Sequence, residues 1–161
     1  MVEIYLRFVY VLSRGMQVVS GCGLVFMMLL TTSDVVLRVF GRPIIGTYEI
    51  VSFTGAVVVG FALPVTSWLR GHIFVDFFYR KLPVFYQKLF NAATRLLALL
   101  FFAFLGWNLW RMASSMVRSG EVSLTLKLPF YPVAYAIGLI AFIECLVLVA
   151  DCLKISRGEY E

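Results

Sequence analysis

Charge is scarce in this chain. Only 14% of its 161 residues are charged and 61% are hydrophobic, whereas soluble domains carry roughly 25% charged and about 45–50% apolar residues. A soluble fold of this composition would lack the polar surface to cover itself. Histidine occurs once, as His72, so the two axial ligands of a membrane haem cannot both come from histidines of this chain. No Ser or Cys stands around His72 in a recognisable catalytic motif, and a surface or capping role suits it better. The three cysteines, Cys22, Cys145 and Cys152, are odd in number and form no C-x-x-C. They indicate neither a disulfide framework nor a zinc site and read as small apolar residues of a helix bundle. No P-loop, H-E-x-x-H or G-x-S-x-G sequence occurs, and the chain is read as non-enzymatic. The formal charge is +5, but no basic run exceeds the Arg80–Lys81 pair, which excludes a nucleic-acid footprint.

What the chain does have is four long apolar blocks. A hydrocarbon core about 30 Å thick takes about 20 residues of helix. Gly15 to Ser33 and Ile50 to Leu69 are free of charge; Leu89 to Trp110 is interrupted by Arg95, and Pro132 to Leu153 by Glu144 and Asp151. The expected fold is an all-α membrane protein, a single domain over 1–161 with four transmembrane helices at about 15–37, 50–69, 89–110 and 132–153. The first block exceeds a signal-peptide core and ends at Asp34 without a small-x-small cleavage site, so it is read as a retained helix. Between blocks 2 and 3, His72, Asp76 and Arg80 recur every four residues, while Ile73, Phe74, Phe77 and Phe78 hold another face. This pattern predicts a short amphipathic helix lying along the membrane surface. The third helix is expected to continue past Trp110 towards Ser119-Gly120. Alternation of Val122, Leu124, Leu126 and Leu128 with polar residues predicts an extended stretch after it.

Orientation follows the basic residues. With the N-terminus inside, Arg7, Arg14, Arg70, Arg80, Lys81, Lys88, Lys154 and Arg157 are cytoplasmic, against Arg38, Arg42, Arg111, Arg118 and Lys127 outside. Both termini are therefore expected in the cytoplasm. Asp34 and Arg38 share a helix face and form an expected interfacial ion pair. Glu49 suits the first turn of helix 2, which Gly46 or Thr47 can cap. Glu144 is costly in a membrane unless paired or protonated, and Arg95 is an available partner, within this chain or with another subunit contributing. Ser52, Ala56, Gly60 and Pro64 give helix 2 a nearly flat face on which another helix can pack. The chain has no matched halves with broken helices and polar clusters, as a self-sufficient secondary transporter would show. It looks like a scaffold that needs a larger partner.

Three segments resemble a known family. Asp34-Val-Val-Leu-Arg38-Val-Phe-Gly41-Arg-Pro43-Ile-Ile-Gly46-Thr-Tyr-Glu49 is followed by Arg70-Gly71-His72-Ile73-Phe-Val75-Asp76, one residue tighter than the family pattern. Then comes Gly120-Glu-Val-Ser123-Leu-Thr-Leu126-Lys-Leu128-Pro129, with Tyr131 where a tryptophan is usual, and Gly138. In this order, and over about residues 15–150, they resemble the small, DctQ-like membrane subunit of tripartite ATP-independent periplasmic (TRAP) transporters. The resemblance implies a bacterial or archaeal cytoplasmic (inner) membrane. It implies a large membrane subunit that carries the substrate and sodium sites, and a periplasmic binding protein that delivers small organic acids. This chain would act as a scaffold holding no cofactor of its own. Asp34, Arg38, Glu49, His72, Asp76, Arg95 and Glu144 are then the structural or interface candidates, and Arg42, Arg118, Glu121 and Lys127 the periplasmic docking candidates. A small proton-coupled multidrug exporter and the membrane anchor of a redox complex are the alternatives.

Overall fold

The computed structural model describes residues 2–69 and 84–156. They form four helices: α1 (Val2–Val39), α2 (Thr47–Trp68), α3 (Val84–Ser119) and α4 (Tyr131–Ser156). All four are long and apolar enough to cross a membrane. Among the described residues there is no strand, only an isolated antiparallel bridge between Val122 and Pro129. The interfacial helix expected over 70–88 between the second and third spans, with His72 and Asp76, falls mainly on 70–83, which lie outside the described residues, and 84–88 belong to α3.

The principal contacts run from α1 to α2, from α2 to α4 and from α4 to α3. The helices therefore stand in a row with α2 and α4 in the centre. One end of the row carries residues 2 and 156 and is called the terminal end; the other carries segments 40–46 and 120–130 and is called the loop end. At a rise of 1.5 Å per residue, α1, with 38 residues, is about 57 Å long, whereas α2, with 22, is about 33 Å. α2 matches a bilayer core, and α1 overshoots it.

The start of α1 at Val2 is the main departure from the apolar blocks, which place the first span at about residue 15. Glu3, Arg7 and Arg14 interrupt the run of apolar residues but not the helical period. Val9 is buried with Val147 and Ala150 of α4, and Tyr5, Leu6 and Trp68 pack around them. The Tyr5 hydroxyl donates to the carbonyl of Leu146 at 2.8 Å. Because α2 stops at Trp68, α1 reaches past it to α4.

Close backbone approach sets the other contacts, as expected where no hydrophobic effect drives helices together. Gly23 of α1 faces Val58 and Thr54 of α2, and the Ser20 hydroxyl donates to Val58 O at 2.8 Å. Such a bond contributes on the order of 0.6 kcal/mol in a membrane bundle. On α2, Gly60 meets Ile140 of α4 and Pro64 is fully buried. Between α3 and α4, Gly106 and Gly138 lie back to back. A Cβ on Gly106 would stand 3.3 Å from Gly138 O and 3.2 Å from the Phe142 ring. Trp110 and Tyr135 close the same seam with ring centroids 5.0 Å apart.

The seam at Gly106 yields a prediction. Gly106→Val overpacks it, at a cost of about 1–3 kcal/mol, and should lower the thermal midpoint of the purified chain in detergent. Gly21→Ala, where a Cβ meets nothing within 4 Å, should not lower the midpoint, since alanine is the better helix former. Equal midpoints for the two variants would contradict this packing.

Candidate functional site

The loop end is built around two carboxylates. α1 finishes in a Schellman-type turn: the amide of Arg42 donates to Leu37 O at 2.9 Å and that of Gly41 to Arg38 O at 3.0 Å. Gly41 takes the left-handed φ of 71° that this turn requires. Asp34, one turn before the end of the helix, then ties the connection together. Its Oδ2 accepts from Arg38 Nε at 2.8 Å and lies 2.7 Å from Arg38 Nη2. Its Oδ1 accepts the amide of Ile44 at 2.8 Å. The Thr47 hydroxyl donates to Ile44 O at 3.0 Å. Asp34 is buried while Arg38 is half exposed, so the carboxylate is the fixed member of the pair.

Glu49 makes the second tie, across 74 to 77 residues of chain. Its Oε2 accepts the Ser123 hydroxyl at 2.8 Å and the amide of Leu126 at 2.8 Å. Its Oε1 accepts the amide of Thr125 at 2.6 Å. Ser123 closes the segment on itself: its amide donates to Leu128 O at 2.8 Å, and its Oγ accepts the amide of Leu128 at 3.0 Å. Segment 121–130 is thus a tight excursion and not the extended stretch that alternation predicts. Turn residues occupy Leu124 to Leu126, and Lys127 adopts a positive φ of 53°. The cause is non-local, since a distant carboxylate draws two consecutive amides inward. Leu126 then packs over Gly46, whose φ is 83°, and a side-chain carbon on Gly46 would overlap the Leu126 isobutyl group.

A cleft of about 270 Å³ opens beside this clasp, lined by Tyr48, Glu49, Ser52, Phe53, Ser123, Leu124 and Phe130. Its walls are mainly apolar and include the Phe53–Phe130 ring pair at 5.3 Å. Leu124 stands at its rim, 98% exposed. The docking candidates Arg42, Arg118, Glu121 and Lys127 are all exposed at this end. Glu121 accepts the Ser119 hydroxyl at 3.0 Å.

Two further acids, Glu144 and Asp151 of α4, lie nearer the terminal end. Arg95 of α3 pairs with Asp151 of α4 at 2.6 Å, each side chain only 13% exposed. Among the described residues the acid that Arg95 reaches is therefore Asp151 and not Glu144. The antiparallel register explains the difference. Gly106 lies against Gly138, and the Cys145 thiol contacts Leu99 O at 3.8 Å, which sets Arg95 about one and a half turns nearer the end of α4 than Glu144. Glu144 is fully buried and accepts a hydrogen bond from the hydroxyl of Ser67. Ser67 is next to the last residue of α2, so Glu144 sits beside the end of α2.

Ser67 and Ser123 are participants that residue-by-residue reading does not single out, and Asp151 is read there as an interruption of the fourth block and not as the partner of Arg95. Ser123 has a signal in its place within the third family-like segment, and Asp151 in its acidity at a helix end. Ser67 has none, because a serine near a helix end is ordinary. Among the described residues no three His, Cys, Asp or Glu side chains are grouped to hold a metal ion.

Four membrane-capable helices in a row define a multi-pass membrane protein. A family model, "Tripartite ATP-independent periplasmic transporters, DctQ component", matches residues 27–158. The chain belongs to this family of transporter components. The match includes both carboxylate ties and the Arg95–Asp151 pair. No curated protein and no solved structure matches the chain.

The Glu49 clasp can be tested directly. Glu49→Ala strands the amides of Thr125 and Leu126 and frees Ser123, so segment 121–130 opens more often. Limited trypsin digestion of the purified protein should then cut after Lys127 several-fold faster than in the wild type. An unchanged rate would show that other contacts hold the segment.

Proposed function

We propose that this chain is the non-catalytic scaffold subunit of a sodium-coupled TRAP transporter for small organic acids. It holds the large membrane subunit, which carries the substrate and sodium sites, and presents its loop end to the periplasmic binding protein. The terminal end then faces the cytoplasm, in agreement with the excess of Lys and Arg there.

One observation carries the reading. Asp34, Glu49, Glu144 and Asp151 are each engaged by a donor from this chain. An ion-coupling carboxylate must exchange its ligands during transport. Acids that accept backbone amides and close buried pairs serve better as ties. The family match supplies the context of a tripartite transporter. The clasped loop end offers a mostly basic surface, on which Arg42, Arg118, Lys127 and Leu124 are exposed, suited to docking a soluble partner.

Affinity purification of the tagged chain from native membranes should recover a large polytopic membrane protein in comparable amount. The combined reversal Arg42→Glu, Arg118→Glu and Lys127→Glu should leave that complex intact while weakening uptake stimulated by the binding protein about tenfold or more, as expected for a lost charged rim. Absence of any large membrane companion would refute the scaffold reading. Unchanged uptake by the triple variant would refute docking at this surface.

A further inference from the structure

α1 is the outer member of the row, and its free face differs from an ordinary lipid-facing surface. Arg14 is exposed on it. Its Nη1 donates to Gln17 Oε1 at 2.9 Å, so the guanidinium is directed along the helix towards the loop end. The depth of this pair follows from Tyr10, whose ring lies 5.7 Å from that of Trp68, the last residue of α2. Arg14 is one turn beyond Tyr10, about 6 Å inside the level at which α2 ends. A guanidinium facing lipid at that depth would reach for the nearer headgroups. This one is held by a glutamine one turn deeper. Intramembrane cations pair with protein groups, and this side chain points away from its own bundle.

The same face carries a regular seam. Val11, Gly15, Val18, Cys22, Val25 and Leu29 alternate at spacings of four and three, and all are exposed. These spacings set the six residues in one stripe along the helix, against which a second helix can pack. Gly15 and the adjoining Gly21 have nothing within 4 Å of where a Cβ would stand, leaving room for a close backbone. Arg14 directly precedes a seam position. Arg7 stands one heptad earlier on the same edge, where charges of a helix pair meet their partners. The free face of α3 is a contrast. Leu97, Phe101, Phe104 and Trp107 are large, exposed and uncharged, which is what lipid chains accept.

We propose that this face of α1 seats a membrane helix of the large subunit that presents a carboxylate to Arg14. The proposal rests on the scaffold reading above. A second copy of this chain fits poorly, because a parallel pair in register along the seam would set Arg14 against Arg14.

The test uses the complex purified through a tag on this chain. Arg14→Glu sets an acid against an acid, and Gly15→Leu fills the seam. Each should lower the recovered large subunit about tenfold or more, as for a broken desolvated pair or a blocked contact, while Arg14→Lys retains most of it. Both disruptive variants should keep the wild-type helicity and thermal midpoint as isolated chains. A photo-crosslinking residue at Val18 should join the wild-type complex to the large subunit, and one at Phe104 should not; this arm decides the matter if a variant misfolds. Full recovery with Arg14→Glu, or crosslinks from Val18 only to lipid or to a second copy, would overturn the proposal and leave the scaffold reading standing. Failure of the wild-type chain to bring down a large subunit would remove both.

Discussion

A hydrocarbon core offers no hydrogen bonds, and each polar group placed in it must find its partner in protein. This constraint orders the whole chain. Backbone groups are satisfied by four long helices, and the two described connections are tied by side chains at the end where the helices leave the core. Asp34 ties the first connection to α1. Glu49, from the start of α2, ties the second by accepting two of its amides and a hydroxyl. Neither acid is free to act elsewhere. Among the described residues, Asp151 closes on Arg95, and one carboxyl oxygen of Glu144 receives the hydroxyl of Ser67.

A row of helices leaves more surface than a closed bundle, and the two flanks use it differently. α2 and α4 bury the larger share of their apolar windows, 22% and 39%, whereas α1 and α3 bury 6% and 11%. Such a shape suits a part that is completed by something else. The flank of α3 is bulky and uncharged, while that of α1 carries small residues along an exposed stripe and an outward arginine. Rigid ties at the loop end and open flanks along the membrane are the two properties a supporting subunit needs, a fixed outer surface and a broad side to lean on.

Much of this architecture was legible in the residues. Four long apolar blocks, two of them free of charge and two broken only by Arg95, Glu144 and Asp151, announce four spans, because in lipid the length of an apolar helix is set by the bilayer and not by tertiary context. The spacing of Asp34 and Arg38, and Glu49 in the first turn of a helix, also point to their local surroundings. What escaped depends on contacts distant in sequence. Asp151, and not Glu144, meets Arg95 because Gly106 and Gly138 set the register of α3 on α4, and a register between helices leaves no periodic trace. Segment 122–128 alternates like a strand, yet it turns because Glu49 gathers its amides from far upstream. The early start of α1 was hidden by three charges that break a hydropathy block without breaking a helix.

The central claim is that this polypeptide supports transport without performing it. Reconstitution into liposomes separates the two roles most directly. Purified chain alone, under an imposed inward sodium or proton gradient, should accumulate no organic acid and export no lipophilic cation above empty vesicles. Adding the large subunit and the binding protein should restore gradient-driven uptake. Solute movement by the chain alone, dependent on Glu144 or Asp34, would contradict the account.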